Sequence, residues 1–468
     1  MRGGAVAGVV RSGRGTLVRT LAFVFLATFL WLQLHVVSLT GRSLPSSSSA
    51  NETLFALVPQ ELHRFLKERR NATVPGNSTG TLSEQEILDI RRQIQRVNEE
   101  QRVFNEEAFG PLASDAPVIV VQVHARLSYL RHLIVSLAQA RGIEQALLVF
   151  SHDVWNPDIN YLVQSVDFCR VMQIFYPHSI QTHPRTFPGE DPNDCPRNIH
   201  KDQLVNALNL KCINAKHPDL YGHYREAKFT QTKHHWWWKA NRVFDQLTVT
   251  RNHTGMVLFL EEDHYVAEDF LHVLRLMERT CRHSCERCNV LSLGTYIKTY
   301  SYYDEGSRKA EVTPWISSKH NMGMAFNRIT WNELRKCGMQ FCSYDDYNWD
   351  WSLQHVGQSC LPPSRGAGAA PRVDSGLVAM VMRAPRVFHI GECGVHHKKN
   401  NCESNAVIAK VQSVLKAARK HLFPMQLTLT IAAVAKKTKL RKGNGGWGDI
   451  RDHELCWNIT MYPDLSLP

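Results

Sequence analysis

The sequence predicts an α/β domain: a mostly parallel sheet with helices over both faces. Three observations predict it. Apolar runs of strand length alternate with segments of helical spacing through residues 117–457, the arrangement that parallel sheets require. Several runs, VIVVQV and MVLFL among them, are apolar enough to be buried on both sides. Apolar residues make up 43% of the 468 residues, sufficient for a large core beside an accessory segment. In such sheets ligands sit beyond the carboxyl ends of the strands, so the residues just after each run carry the most information.

Taken in order, residues 1–20 contain Arg2, Arg11, Arg14 and Arg19 and no acid. Leu21–Leu39, LAFVFLATFLWLQLHVVSL, has no formal charge. At ~1.5 Å per residue a helix of that length nearly crosses a ~30 Å bilayer core. The upstream arginines keep residues 1–20 cytosolic and send the rest into the lumen, a single-pass signal-anchor. A cleaved signal peptide is the alternative, but the apolar run is long for one and no clean small-x-small site follows. Residues 40–81, rich in Ser, Thr, Gly, Asn and Pro, read as a flexible stem. Residues 82–116 read as one stem-proximal helix, opened by the capping box Ser83-Glu-Gln-Glu86. It continues through Ile87, Ile90, Ile94, Val97, Phe104 and Ala108 to Gly110-Pro111. That helix packs on its own domain or pairs with a second copy to give a homo-oligomer; the first is the safer expectation.

From Pro117 the spacing predicts strands at Val118–Val123, Ala146–Phe150, Val171–Tyr176, Met256–Leu260 and Asn289–Leu293. It predicts helices at Leu127–Ala140 and Tyr224–Leu247. Residues 117–457 form the main α/β domain and 458–468 a C-terminal tail.

Lys plus Arg is 55 against 43 Asp plus Glu, a net charge of +12. The surplus suits an anionic membrane or a phosphate-bearing substrate. No long basic run exists beyond Lys436-Lys437-Thr438-Lys439, which argues against nucleic acid. Twelve cysteines suit an oxidising lumen. Five sequons, at Asn51, Asn71, Asn77, Asn252 and Asn458, agree with that compartment. Cys285-Glu-Arg-Cys288 reads as a small disulfide loop rather than half a zinc site, since no matching pair stands near it.

Four segments carry chemistry. Glu261-Glu262-Asp263 follows MVLFL; three acids at the end of a buried strand are costly unless a cation compensates them. A hard divalent ion bridging two phosphates would do so, and a solvated acidic loop is the plain alternative. His389 lies in Phe388-His389-Ile390-Gly391 with Lys398-Lys399 downstream, a metal-ligand or a structural histidine. Tyr344-Asp345-Asp346-Tyr347-Asn348-Trp349-Asp350-Trp351 mixes carboxylates with rings, as sugar recognition needs. One of its acids can act as general base, and Asp346 and Asp350 share a face if the segment is helical. An ordinary aromatic helix is the alternative. Gln231-Thr232-Lys233-His234-His235-Trp236-Trp237-Trp238-Lys239 lies within the long predicted helix; its Trp residues are either core or site, and Lys233 and the histidines are candidates to face a nucleotide.

The strings QTKHHWWWK, LEEDHY, VLSLGTY, HNMG, YDDYNWDW, CGVHHKK and GNGGWGDIRDHELC together resemble the N-acetylglucosaminyltransferase II family, from about Val118 to Cys456. The resemblance implies a GT-A glycosyltransferase fold and a Golgi type II membrane protein with a lumenal catalytic domain. It implies inverting transfer of GlcNAc from UDP-GlcNAc, in β-1,2 linkage, to the α1,6-arm mannose of an N-glycan precursor on glycoproteins, committing it to complex-type glycans. It further implies Mn2+ held by Asp263 and His389, with Asp350 as catalytic base. Donor-binding segments would be Gln122, Val123, His124, Ala125 and Arg126, then Asp153, then Gln231, Thr232, Lys233, His234 and His235. Tyr300, Asn321 and Trp349 fall where acceptor contacts are expected. The implied disulfides are Cys195–Cys212, Cys285–Cys288, Cys337–Cys360, Cys342–Cys456 and Cys393–Cys402, leaving Cys169 and Cys281.

The chain departs from the family pattern in three places. Ala125 replaces the Asn of QVHNR, Tyr300 stands where an Arg is expected, and residues 362–382 look like a longer Gly/Ala-rich insertion. These bear on donor affinity and acceptor specificity more than on reaction type. Two other functions stay open on the sequence: a related enzyme that serves another mannose arm, and a Golgi lectin-like homologue without turnover.

Overall fold

A computed structural model of the chain describes residues 58–67, 82–197, 199, 211–296, 301–303, 305–361, 376–391, 405–432 and 443–461. In chain order the elements used below are α1 (Glu84–Glu100), β1 (Val103–Phe104), β2 (Val118–Val123), α2 (Leu127–Ala138), β3 (Leu147–His152) and β4 (Arg170–Phe175). Then come α3 (Ala227–Asn241), β5 (Val257–Glu261), β6 (His264–Val266), α4 (Phe270–Ser284), β7 (Val290–Ser292), β8 (Lys309–Pro314) and β9 (Met324–Phe326). The chain continues with α5 (Gly338–Ser343), α6 (Trp349–Ser359), β10 (Val378–Met382), β11 (Val387–His389), β12 (Thr428–Ile431) and α7 (Ile450–Met461).

Ten strands form one sheet in the order β1-β4-β3-β2-β5-β9-β7-β10-β8-β12. The run β4-β3-β2-β5 is parallel throughout, as the strand–helix alternation predicts. Antiparallel β9 then separates β5 from β7, and β8 runs against β10, so the second half is mixed. Alternation along β2 divides the core. Ile119, Val121 and Val123 pack with α2 and α4, whereas Val118 and Val120 pack with α3, α6 and α7. Trp236, Trp237 and Trp238 of α3 are buried in that second core; burying each large apolar side chain contributes about 1.5–3 kcal/mol.

The expected helix over residues 82–116 is corrected. Its capping box is present, with Glu86 and Ser83 bonded reciprocally. The helix stops at Glu100, because Gln101 takes a left-handed conformation at φ 44°. Val103 and Phe104 then pair antiparallel with β4, so the sheet begins upstream of residue 117. Part of the expected stem also docks. Val58 and Phe65 are buried in the first core, and Arg131 donates to the carbonyls of Phe65 and Lys67. The long helix expected at Tyr224–Leu247 is shorter, Ala227–Asn241, with a π-helical turn at Arg242–Gln246. The span read as an insertion, 362–382, includes β10, paired between β7 and β8.

Four of the five implied disulfides are present: Cys195–Cys212, Cys285–Cys288, Cys337–Cys360 and Cys342–Cys456. Cys393–Cys402 lies outside the described residues, while Cys169 and Cys281 are free and buried. Asn252 is exposed. Asn458 is half-buried in α7, and the Thr460 of its sequon is buried, accepting from Trp237 at 2.8 Å. Asn51, Asn71, Asn77 and the apolar span Leu21–Leu39 lie outside the described residues. Among those described, no helix is long and apolar enough to cross a membrane.

Candidate active site

The carboxyl ends of β2, β3 and β5 converge, as the parallel register demands. β5 ends at Glu261, and the chain turns through Glu262 and Asp263 into β6. β6 pairs antiparallel with β11, opposing His264 and His389. This ribbon brings His389 Nε2 to 3.3 Å from Asp263 Oδ2. Arg126, just after β2, grips the same turn: Nε donates to Glu262 at 2.7 Å and Nη1 to Asp263 Oδ2 at 2.7 Å. Glu262 also accepts from the backbone of His124 at 2.8 Å, so its carboxylate is consumed in positioning the loop after β2.

Asp263 is buried, and its Oδ1 has no hydrogen-bond partner. An unsatisfied buried carboxylate oxygen is expensive, and a cation is the natural remedy. Burial would raise the Asp263 pKa, but His389 and Arg126 together hold it well below the usual carboxylate range. Asp263, Glu261 and His264 also gather potential ligand atoms within 4.8 Å of one another. His264 Nδ1 already accepts from the Glu261 backbone at 3.1 Å, leaving one ring nitrogen. A set of carboxylate oxygens and imidazole nitrogens fits a divalent ion such as Mn2+. Gly391 is required here, since a Cβ would lie 2.3 Å from Asp263 Oδ2. The sequence reading missed His264, though LEEDHY contains it.

Asp153, after β3, is the hub of the neighbouring loop cluster. It accepts from His124 at 2.7 Å and Gln231 at 2.9 Å, with His235 at 3.6 Å. Burial opposes its ionisation, but the hydrogen bond from His124 and the nearby His235 imidazole hold its carboxyl far below the ordinary range. Ala125 is exposed between His124 and Arg126.

The expected donor segment Gln231–His235 divides according to helix geometry. Gln231 and His235 face Asp153. Lys233 turns the other way, donating to the carbonyls of Tyr344 and Asp346 at 3.0 and 3.1 Å. Burial lowers its ammonium to about 7. His234 bonds buried Asp452 at 2.9 Å, and Thr232 is half-buried. Lys233 and His234 are therefore occupied in the core, because at about 3.6 residues per turn consecutive helical residues point in different directions and cannot all face one cleft. Val123 is likewise core.

Asp350 begins α6, and its Oδ2 accepts from Asn321 at 3.0 Å. Desolvation, and then the charges of Asp346 and Glu261, push its carboxyl up to about 7. Asp346 precedes α6 and shares no helical face with Asp350. Its oxygens are taken by Asn348 and Asn444. Asp345 accepts from the backbones of Leu220 and Trp447. Of the three acids, Asp350 is the one not engaged in holding loops together. Trp349 corrects an expectation: it is buried and stacked on Trp236 at 4.4 Å, so its ring supports the core instead of a sugar. Tyr300 lies outside the described residues. Exposed Tyr296, also missed, places its ring 6.5 Å from that of His389. Desolvation, then the charges of Glu261 and Asp350, raise its hydroxyl pKa.

A buried acid–imidazole pair gripped by an arginine, with a separate desolvated carboxylate held by an asparagine, is the arrangement of a glycosyltransferase. The family model for N-acetylglucosaminyltransferase II (MGAT2) matches residues 91–456, and the chain belongs to that family. It is 46% identical to the alpha-1,6-mannosyl-glycoprotein 2-beta-N-acetylglucosaminyltransferase of Sus scrofa, over 79% of this chain and 79% of that protein. The Rattus norvegicus enzyme of the same name is 47% identical over 79% and 80%, and that of Arabidopsis thaliana 32% identical over 76% and 78%. Likeness to solved structures is slight. A mannosyltransferase from Pyrobaculum calidifontis covers 81% of this chain and 96% of that chain at 9% identity and a TM-score of 0.27, and no argument rests on it.

Proposed function

We propose that this protein transfers GlcNAc from UDP-GlcNAc in β-1,2 linkage to the α1,6-arm mannose of N-glycan precursors, with inversion. Family membership and the names of its relatives supply the substrates. The observation that carries the chemistry is the presence of two unlike acids. Asp263 is held ionised against His389 and Arg126, while Asp350 is desolvated and held by Asn321.

Asp263 and His389 would hold Mn2+, with Glu261 and His264 beside it. The ion when bound supplies positive charge to a leaving nucleoside diphosphate in place of a general acid. His124, Arg126, Asp153, Gln231 and His235 form the donor side. Asp350 takes the proton from the attacking mannose hydroxyl. A carboxylate with pKa near the working pH suits that task, and Asn321 keeps its oxygen oriented. The apolar span Leu21–Leu39 anchors the chain in the Golgi membrane as a single-pass type II protein, with the domain in the lumen. Release of UDP, measured with and without glycans of defined arms, tests the whole reading. GlcNAc should appear on the α1,6-arm mannose alone. Product on another arm, or no acceptor-stimulated release, would overturn it.

A further inference from the structure

β3, β2 and β5 each end with one polar residue on the same face of the sheet. Register places Gln122 beside Ser151 and beside Glu261. All three share the parity of Val118, Val120, Leu147, Val149, Val257 and Phe259, which belong to the core beneath α3, so they face α3. On α3 itself, Gln231, His235 and Lys239 recur every fourth residue and form one stripe. Each reaches a strand end: Gln231 the carboxylate of Asp153 at 2.9 Å, His235 the hydroxyl of Ser151 at 2.8 Å, and Lys239 the carboxamide oxygen of Gln122 at 2.5 Å.

Lys239 is 1% exposed, and burying an ammonium is costly unless it does something specific. A lysine ammonium has three donors and no acceptor. The carboxamide oxygen of Gln122 must therefore face it, which turns the Gln122 NH2 the other way. Gln122 is half-buried next to the last residue of β2, and among the described residues its Nε2 has no partner. The next residues along β2 and its loop are Val123, His124, Ala125 and Arg126, the expected donor segment.

We propose that Lys239 is a positioning residue: it locks the Gln122 carboxamide so that its NH2 points into the cleft as a donor to an acceptor oxygen of the nucleotide-sugar. Burial lowers the Lys239 ammonium to about 7, and the negative charges of Glu261 and Asp153 act against that loss. Without the lock, the carboxamide is free to present its oxygen to a ligand that is itself rich in oxygens. This inference rests on the donor reading given under the proposed function.

Steady-state kinetics on the full-length chain test it, varying UDP-GlcNAc and acceptor separately in Lys239→Met, Gln122→Leu and the double variant. Losing one hydrogen bond to a donor is expected to raise the donor KM by up to about tenfold. The kcat and the acceptor KM should stay within about twofold of the wild type. The double variant should be no worse than the worse single one, since both changes remove the same interaction. Gln122→Glu is the check if Lys239→Met fails to fold. It keeps a partner for Lys239 and removes the NH2, so it should melt no lower than the wild type yet show the same rise in donor KM. Additive penalties, a loss seen in kcat or acceptor KM instead, or a wild-type donor KM in Gln122→Glu would each overturn the proposal. Failure of the wild-type chain to bind UDP-GlcNAc would instead overturn the donor reading on which it rests.

Discussion

His389 Nε2 lies 3.3 Å from Asp263 Oδ2 across the β6–β11 ribbon, although the two residues are far apart in the chain. The ribbon fixes both side chains before any ion arrives. Asp263→Asn should therefore abolish most metal-dependent UDP-GlcNAc binding, and His389→Ala should weaken it. Isothermal titration with Mn2+ and UDP-GlcNAc reads this directly, and chelators should stop turnover. Undiminished binding by Asp263→Asn would exclude the ribbon as the metal site.

Asp350→Asn keeps the shape and the Asn321 contact but cannot accept a proton at neutral pH. General-base catalysis is typically worth about 10²–10⁴-fold, so kcat and kcat/KM should fall together in that range with donor affinity unchanged. Asp346→Asn should mainly lower the melting temperature, because its oxygens tie Asn348 to Asn444. Near-normal turnover in Asp350→Asn with a dead, well-folded Asp346→Asn would name the other carboxylate as base.

Desolvation pushes the Asp350 carboxyl up to about 7, which sets a pH window with a definite sign. The base must be ionised, so kcat should rise with pH through about 7 and then level off. Stability runs the opposite way. The neutral acid is the form the fold tolerates, so its contribution is complete below the ordinary carboxylate pKa and is lost as pH rises through about 7. The melting temperature of Asp350→Asn should accordingly exceed that of the wild type by more at pH 8 than at pH 5. A gap that does not change with pH, measured by calorimetry, would remove Asp350 from this role.

Cys342–Cys456 closes a sequence separation of 114 and ties α5 to α7, whereas Cys285–Cys288 spans 3. Removing a native disulfide that closes a long loop typically costs about 2–5 kcal/mol. Replacing both Cys342 and Cys456 with Ala should show a loss of that order in chemical denaturation. Replacing Cys285 and Cys288 should cost distinctly less. Equal losses would mean that packing around each bridge, and not loop closure, governs the effect.

Much of this was legible because local patterns report local physics. The capping box at Ser83, the buried runs that became β2 to β5, and the acids at the end of β5 each announce themselves within a few residues. The same logic failed where a left-handed residue or a partner strand intervened. Val103 and Phe104 continue a helical spacing, yet Gln101 breaks the helix and β4 offers them an edge. Trp349 sits in a sugar-binding context by sequence, and Trp236 claims its ring by stacking.

By itself the sequence determined the α/β class, the family and, through that resemblance, Asp263, His389 and Asp350 as the residues to consider. Only the tertiary structure decided which neighbours are free to act. Lys233 and His234 are drawn into the core while Gln231, His235 and Lys239 reach the strand ends, and Asp345 and Asp346 hold loops while Asp350 is left half-buried beside Asn321. The reason is physical: residue type records what a side chain can do, but the direction it faces, the partners that consume its hydrogen-bonding capacity and the water it loses are set by segments distant in the chain.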